Sequence, residues 1–307
     1  MLHQTLPFLI LCIVLGWVLS KWKLVPENTY RKINQVIIWI TLPAITLEKI
    51  GHLTLRPEYF SPIISAWWLF IFAGIFFALT GYLFKWDKKT WAAMTLVCGL
   101  GNTSFVGFPV TRLLYGEEGI RYAVLVDQPG TFVCLATLGV ALAAFAGSKG
   151  FSLKHIVMRL IRFPPFVCFI IALFLPSFLL DLPIKGTGTN PGAILNYIGS
   201  WMNPLAFVSM GLQFRFSLED VSPGPYFTGL FYKLLLGPGL VFAFFKLMNW
   251  NDLMYDVTVM ELAMPPMITA SIIATEHDLR PGLSAAWINF GIPISAVTIY
   301  LWSLILG

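Results

Sequence analysis

Charge is scarce in this chain. Only 11% of its 307 residues are Asp, Glu, Lys or Arg, against about 25% in an ordinary soluble domain. So few charges cannot cover a water-exposed surface, which excludes a soluble globular fold and any sizeable soluble domain. Histidine and cysteine are also few, at four each. Cys12, Cys98, Cys134 and Cys168 stand inside apolar stretches without a Cys-x-x-Cys pair. No metal site is expected from them, and they fit small buried hydrophobes. The spacings His-Glu-x-x-His, Gly-x-Ser-x-Gly and the P-loop do not occur, which removes the enzyme classes those motifs serve. We therefore expect no enzyme, no catalytic residue, no metal and no cofactor. The net charge of +5 needs no nucleic-acid partner, because Lys and Arg beside a bilayer meet anionic lipid headgroups.

What the chain has instead is apolar length. Hydrophobic residues make up 57%, and mean hydropathy is +0.78. A membrane helix needs about 20 apolar residues. Ten stretches qualify as candidates: 4–20, 32–51, 62–84, 91–113, 121–146, 160–180, 192–213, 226–248, 253–275 and 282–306. The expected fold class is an all-α polytopic membrane protein of ten transmembrane helices in a lipid bilayer. The first stretch could pass for a secretory signal. It lacks a basic leading region and a small-x-small cleavage site, so it reads as a retained span. Trp22, Trp86, Trp91 and Trp250 stand near stretch ends, as an interfacial belt would place them.

Lys and Arg concentrate in the connections after odd-numbered spans, among them Lys21, Lys23, Lys85, Lys88, Lys89, Lys149, Lys154 and Arg215. The positive-inside rule makes those connections cytoplasmic, including the central loop 147–158, and puts both termini on the non-cytoplasmic side of a plasma or inner membrane. That loop divides the chain into residues 1–150, holding spans 1–5, and 151–307, holding spans 6–10. An odd number of spans per half forces the halves to insert with opposite topology, as an inverted repeat.

The two halves share one interruption each. Span 4 contains Gly101-Asn102-Thr103-Ser104 and Gly107-Phe108-Pro109; span 9 contains Met264-Pro265-Pro266. Proline, glycine and asparagine inside hydrocarbon leave backbone groups unsatisfied, and they are tolerated where the chain lines a buried cavity. Paired interruptions in matching places point to a transporter binding site. Asn102, Thr103 and Ser104 can cap a half-helix whose positive N-terminal end favours a carboxylate; they could also serve only to repair the kink. Asn102-Thr103-Ser104 matches a glycosylation sequon, but its depth argues against that use. The residues expected around a midplane site are Asn102, Thr103, Ser104, Gly107, Pro109, Gln128, Met264, Pro265, Pro266 and Thr269. Glu261 and Asp127 are carboxylates inside spans, which are costly and hence candidates for proton or ion coupling; a structural pairing is the competing reading. Arg112 could steer an anion or reach headgroups. Glu48 and Lys49 are expected at the interface, and Lys233, inside span 8, is a poor partner for the carboxylates because it could snorkel to an interface.

At these residues the chain resembles a known family. Gly101-Asn102-Thr103-Ser104-Phe105-Val106-Gly107-Phe108-Pro109 followed by Tyr115-Gly116-Glu117-Glu118-Gly119 is similar to the fourth-span signature of the auxin efflux carriers. Ala263-Met264-Pro265-Pro266 with Ala274-Thr275-Glu276 resembles their ninth span, and Asp127-Gln128 resembles the bacterial permeases among them. The resemblance implies inverted five-helix repeats of the bile-acid and sodium–proton transporter type, with spans 4 and 9 crossing at the bilayer centre. It implies a scaffold of spans 1, 2, 6 and 7 that often dimerises, and a moving transport domain of spans 3, 4, 5, 8, 9 and 10. It further implies organic anions as substrates, auxins or dicarboxylates among them. The plant exporters carry a second proline where this chain has Ala270, and a long central loop that it lacks, so auxin itself does not follow.

The expected function is a secondary transporter for a small organic anion, working by alternating access as a homodimer. Two alternatives stand beside it: a membrane ligand sensor on a transporter fold, and a sodium-coupled bile-acid-type symporter. The chain lacks the dense acidic cluster of a sodium–proton exchanger, so no sodium requirement is expected. Proton coupling and potential-driven anion movement both stay open.

Overall fold

The computed structural model of the protein describes residues 2–53, 56–147, 153–184, 187–213 and 221–307. Residues 148–152 of the expected central loop, with Lys149, and residues 214–220, with Arg215, lie outside the described residues. The described chain is helical, without a strand. In order, its helices are α1 (Leu2–Lys21), α2 (Thr29–Gly51), α3 (Pro57–Phe84), α4 (Lys88–Cys98) and α5 (Thr103–Ala146). There follow α6 (Leu153–Ile161), α7 (Pro164–Phe174), α8 (Phe178–Asp181), α9 (Pro191–Ser200) and α10 (Met202–Gln213). The last are α11 (Pro223–Leu247), α12 (Leu253–Leu262), α13 (Ile268–Glu276) and α14 (Pro281–Leu306).

Five of these, α2, α3, α5, α11 and α14, are long and apolar enough to cross a membrane. Shorter apolar helical stretches run over Leu11–Lys21 and Pro164–Phe174. The region expected as span 4 consists of α4 and the start of α5, and the region expected as span 9 consists of α12 and α13. The long α5 bends at Gly116, whose φ of 68° lies in the left-handed region that glycine enters without strain. The acidic turn Gly116-Glu117-Glu118 sits at that bend.

The chain gathers into two compact units. Unit 1 takes residues 1–57, 104–124 and 158–214; unit 2 takes 58–103, 125–157 and 215–307. Within unit 1, α1 packs along α10 so closely that a Cβ on Gly16 would run into the Val208 carbonyl, and one on Gly211 into the Ile13 carbonyl. With no hydrophobic force between helices in lipid, such backbone-to-backbone approach at small residues is what holds them.

Within unit 2, aromatic donors repair the backbone. Pro238 has no N–H to give the Leu234 carbonyl one turn earlier; Trp302 Nε1 donates to that carbonyl instead, at 2.9 Å. Trp67 Nε1 donates to the Pro129 carbonyl at 3.0 Å, and the Tyr232 hydroxyl to the Leu69 carbonyl at 2.6 Å. Among the π-helical turns of the described chain, Thr103–Gly107 where the units change, and Val126–Phe132 and Tyr232–Leu236 in unit 2, widen the helices locally. Such turns recur at functional sites, and these hold Thr103, Asp127 with Gln128, and Lys233.

Candidate functional site

The two interrupted segments of unit 2 are built alike. Each opens on an aspartate cap. Asp87 accepts from the Thr90 N–H at 2.8 Å, and Asp252 accepts from the Met254 N–H at 2.9 Å. Arg280 Nη2 adds a 2.7 Å bond to Asp87. Burial raises the Asp87 carboxyl, but the bonds from Thr90 and the Arg280 charge outweigh it and hold the group below the usual carboxylate range. Each half-helix then stops after about three turns, at Cys98 and at Leu262.

The two breaks pair with each other. Gly101 and Pro266 form an antiparallel bridge, and the Asn102 N–H donates to the Pro265 carbonyl at 2.8 Å. The Met267 N–H donates to the Val97 carbonyl at 3.4 Å. Backbone groups that the interruptions release are thus satisfied by the opposite break, as a lipid surrounding demands.

A buried polar network extends from this pairing. Thr103 Oγ1 donates to Asp127 Oδ1 at 2.5 Å, and Gln128 Nε2 donates to Asp127 Oδ2 at 2.8 Å. All three side chains are fully buried. Both carboxyl oxygens of Asp127 are engaged, so the side chain is held in place from two sides. Two polar atoms next to this network have no hydrogen-bond partner among the described residues: the donor Nδ2 of Asn102 and the acceptor Oε1 of Gln128. A buried amide donor left unmade costs roughly 1–3 kcal/mol, and it is the group that a carboxylate oxygen would satisfy.

Of the expected residues, the structure brings Asn102, Thr103, Asp127, Gln128, Pro265 and Pro266 into one linked arrangement. Glu261 and Met264 are fully buried beside the second break. Ser104, Gly107 and Pro109 are buried but belong to unit 1, since the chain changes units at Thr103/Ser104. Thr269 is exposed on α13.

Lys233 does not snorkel. It is fully buried, and its Nζ donates to the Leu262 carbonyl at 2.7 Å; the π turn and the orphaned end of α12 hold it inside. Glu48, Lys49 and Arg112 are joined in one ion-pair network with Glu117. In unit 1, Glu117 bridges Lys49 at 2.8 Å and Arg112 at 2.7 Å, and Lys49 also meets Glu48 at 3.0 Å. Arg112 further reaches Asn203 Oδ1 at 3.4 Å. Partnered this way, Arg112 fixes the helix bend after Gly116. Among the described residues, no group of three or more His, Cys, Asp and Glu could hold a metal ion.

Comparison with known proteins agrees in kind. Residues 2–303 match a family described as membrane transport protein. An uncharacterized transporter of Methanothermobacter thermautotrophicus is 27% identical over 99% of this chain and 98% of its own length. An uncharacterized transporter of Methanocaldococcus jannaschii is 26% identical over 100% of this chain and 99% of its own.

Proposed function

The chain belongs to the membrane transport protein family, the auxin efflux carrier-like permeases, and on that premise we propose that it is a secondary transporter for a small organic anion. Membership and several long apolar helices make it an integral, multi-pass membrane protein. The substrate class is a carboxylate, auxin-like or dicarboxylic. The observation that carries this reading is the buried Asn102 amide, whose Nδ2 lacks a partner beside the paired breaks. A carboxylate oxygen accepts from such a donor, and the positive N-terminal end of a half-helix adds to the attraction.

The architecture proposed has ten spans in two inverted repeats, both termini non-cytoplasmic, with spans 4 and 9 crossing. The bridge between Gly101 and Pro266 supports the crossing. Unit 1 gathers the regions of spans 1, 2, 6 and 7, which supports a scaffold role; unit 2 gathers those of spans 3, 5, 8, 9 and 10 with α4, which supports a transport-domain role. Alternating access of that domain would carry the anion.

Uptake of radiolabelled carboxylates into proteoliposomes tests the reading. Asn102→Ala should lower flux far more than expression. Losing a hydrogen bond to a charged group costs about 1.5–3 kcal/mol, or a factor of roughly 10–150 at about 1.4 kcal/mol per decade. Unchanged flux through folded Asn102→Ala protein would remove this residue from the site. Saturable binding without flux in the wild type would replace transport with sensing.

A further inference from the structure

The buried ammonium of Lys233 has no part in the anion site, and Pro265 and Pro266 explain its position. In a continuous helix the Leu262 carbonyl takes the N–H of residue 266, or in a tighter turn that of residue 265. Both are prolines and have none. α12 therefore ends on a carbonyl that neither following neighbour can satisfy, at the end of the helix where the dipole is negative. Lys233 Nζ donates to that carbonyl at 2.7 Å.

Burial opposes a charge on Lys233; the Leu262 carbonyl, the negative end of α12 and the Glu261 carboxylate favour it. Gly101 clears the space for it: a Cβ there would stand 3.0 Å from Lys233 Nζ and 3.2 Å from the Glu261 carbonyl oxygen. Backbone carbonyls at a half-helix C-terminus, together with a carboxylate, are the oxygens that hold a small monovalent cation in transporters with broken helices.

We propose that Lys233 is a tethered cation, filling covalently the place that a bound sodium ion would take at the paired breaks. The folded protein then neither needs nor binds sodium there. The consequence for coupling rests on reading the breaks as the translocation site; the occupancy itself does not.

Thermal unfolding of the purified protein tests this, in sodium chloride, methylammonium chloride and choline chloride at equal ionic strength. The wild-type midpoint is expected to be the same in all three. Lys233→Ala is expected to unfold at a lower temperature in choline, and to be raised saturably by sodium or methylammonium, which can enter the vacated place. A saturable, sodium-specific rise in the wild type overturns the proposal. So does folded Lys233→Ala protein whose midpoint is identical in the three salts. If Lys233→Ala fails to fold in every salt, Lys233→Ser is measured in the same way, and the wild-type comparison stands by itself. No substrate enters these measurements. Unchanged flux in Asn102→Ala would therefore remove the anion site and leave this result intact, while a sodium-responsive wild type would remove the tethered cation and leave transport standing.

Discussion

Individual residues of the site were legible where their chemistry conflicts with hydrocarbon. Asn102, Thr103 and Pro265-Pro266 announce themselves because each breaks a helix or demands a partner. What sequence could not show is who meets whom. Lys233 carries the same spacing whether it snorkels or turns inward, and only the prolines of another helix decide the matter. Asp127 and Glu261 looked equivalent in the sequence and differ in place. Asp127 has one oxygen on Thr103 and the other on Gln128, so it anchors the first break. Glu261 acts electrostatically on Lys233, so gaining a proton there would change the balance of a buried charge. Asp127→Asn should therefore lower carboxylate currents while keeping their pH dependence, since asparagine can still accept from Thr103 but not from Gln128. Glu261→Gln should alter the pH dependence itself. Solid-supported-membrane recordings on reconstituted protein, with and without a pH gradient, separate the two. Equal loss of pH dependence in both variants would sink the distinction, and sodium-free currents unchanged in both would leave potential-driven movement.

At the scale of helices, apolar length was readable because a bilayer sets it, and the interruptions were readable because proline and glycine punctuate it. The π turns were not. Two of them receive donors from elsewhere in the fold, Trp302 at Leu234 and Trp67 at Pro129. The bend in α5 was visible only as an acidic turn, although Gly116 marks it. This repair has a measurable size. Trp302→Phe keeps most of the buried ring but deletes the indole N–H, leaving the Leu234 carbonyl short of a donor already missing at Pro238. The expected loss is about 1–3 kcal/mol, read as a lower unfolding temperature in detergent. The double variant with Pro238→Ala should recover part of it, because the alanine N–H restores the helical bond. Equal midpoints for wild type and Trp302→Phe would show that the carbonyl needs no second partner.

For the whole molecule, the order of the chain and its grouping in space differ. Each compact unit draws on both halves of the sequence, so no cut in the chain separates them. Sequence periodicity could suggest repeats but could not assign the stretch 104–124, which leaves its own span to join unit 1. Orientation was read from basic loops that favour one face mainly in the first half. If unit 1 serves as the scaffold of a homodimer, the contact is expected on the side of α2 where Val36, Trp39 and Ile40 are exposed. In a background lacking Cys12, Cys98, Cys134 and Cys168, Trp39→Cys or Ile40→Cys should cross-link two copies in membranes. Cross-linking confined to the exposed positions Phe227 and Phe231 of α11 would reject that surface.

The Trp302–Leu234–Pro238 repair also has a history built into it. A carbonyl oxygen has two lone pairs, so a tryptophan could settle over Leu234 while residue 238 still supplied its own N–H, without harm to the fold. A proline arriving first would have left a bare carbonyl in hydrocarbon. Descent could therefore take the steps in one order far more easily than in the other. With both in place, the indole is a group that cannot be lost without cost unless the proline is replaced first.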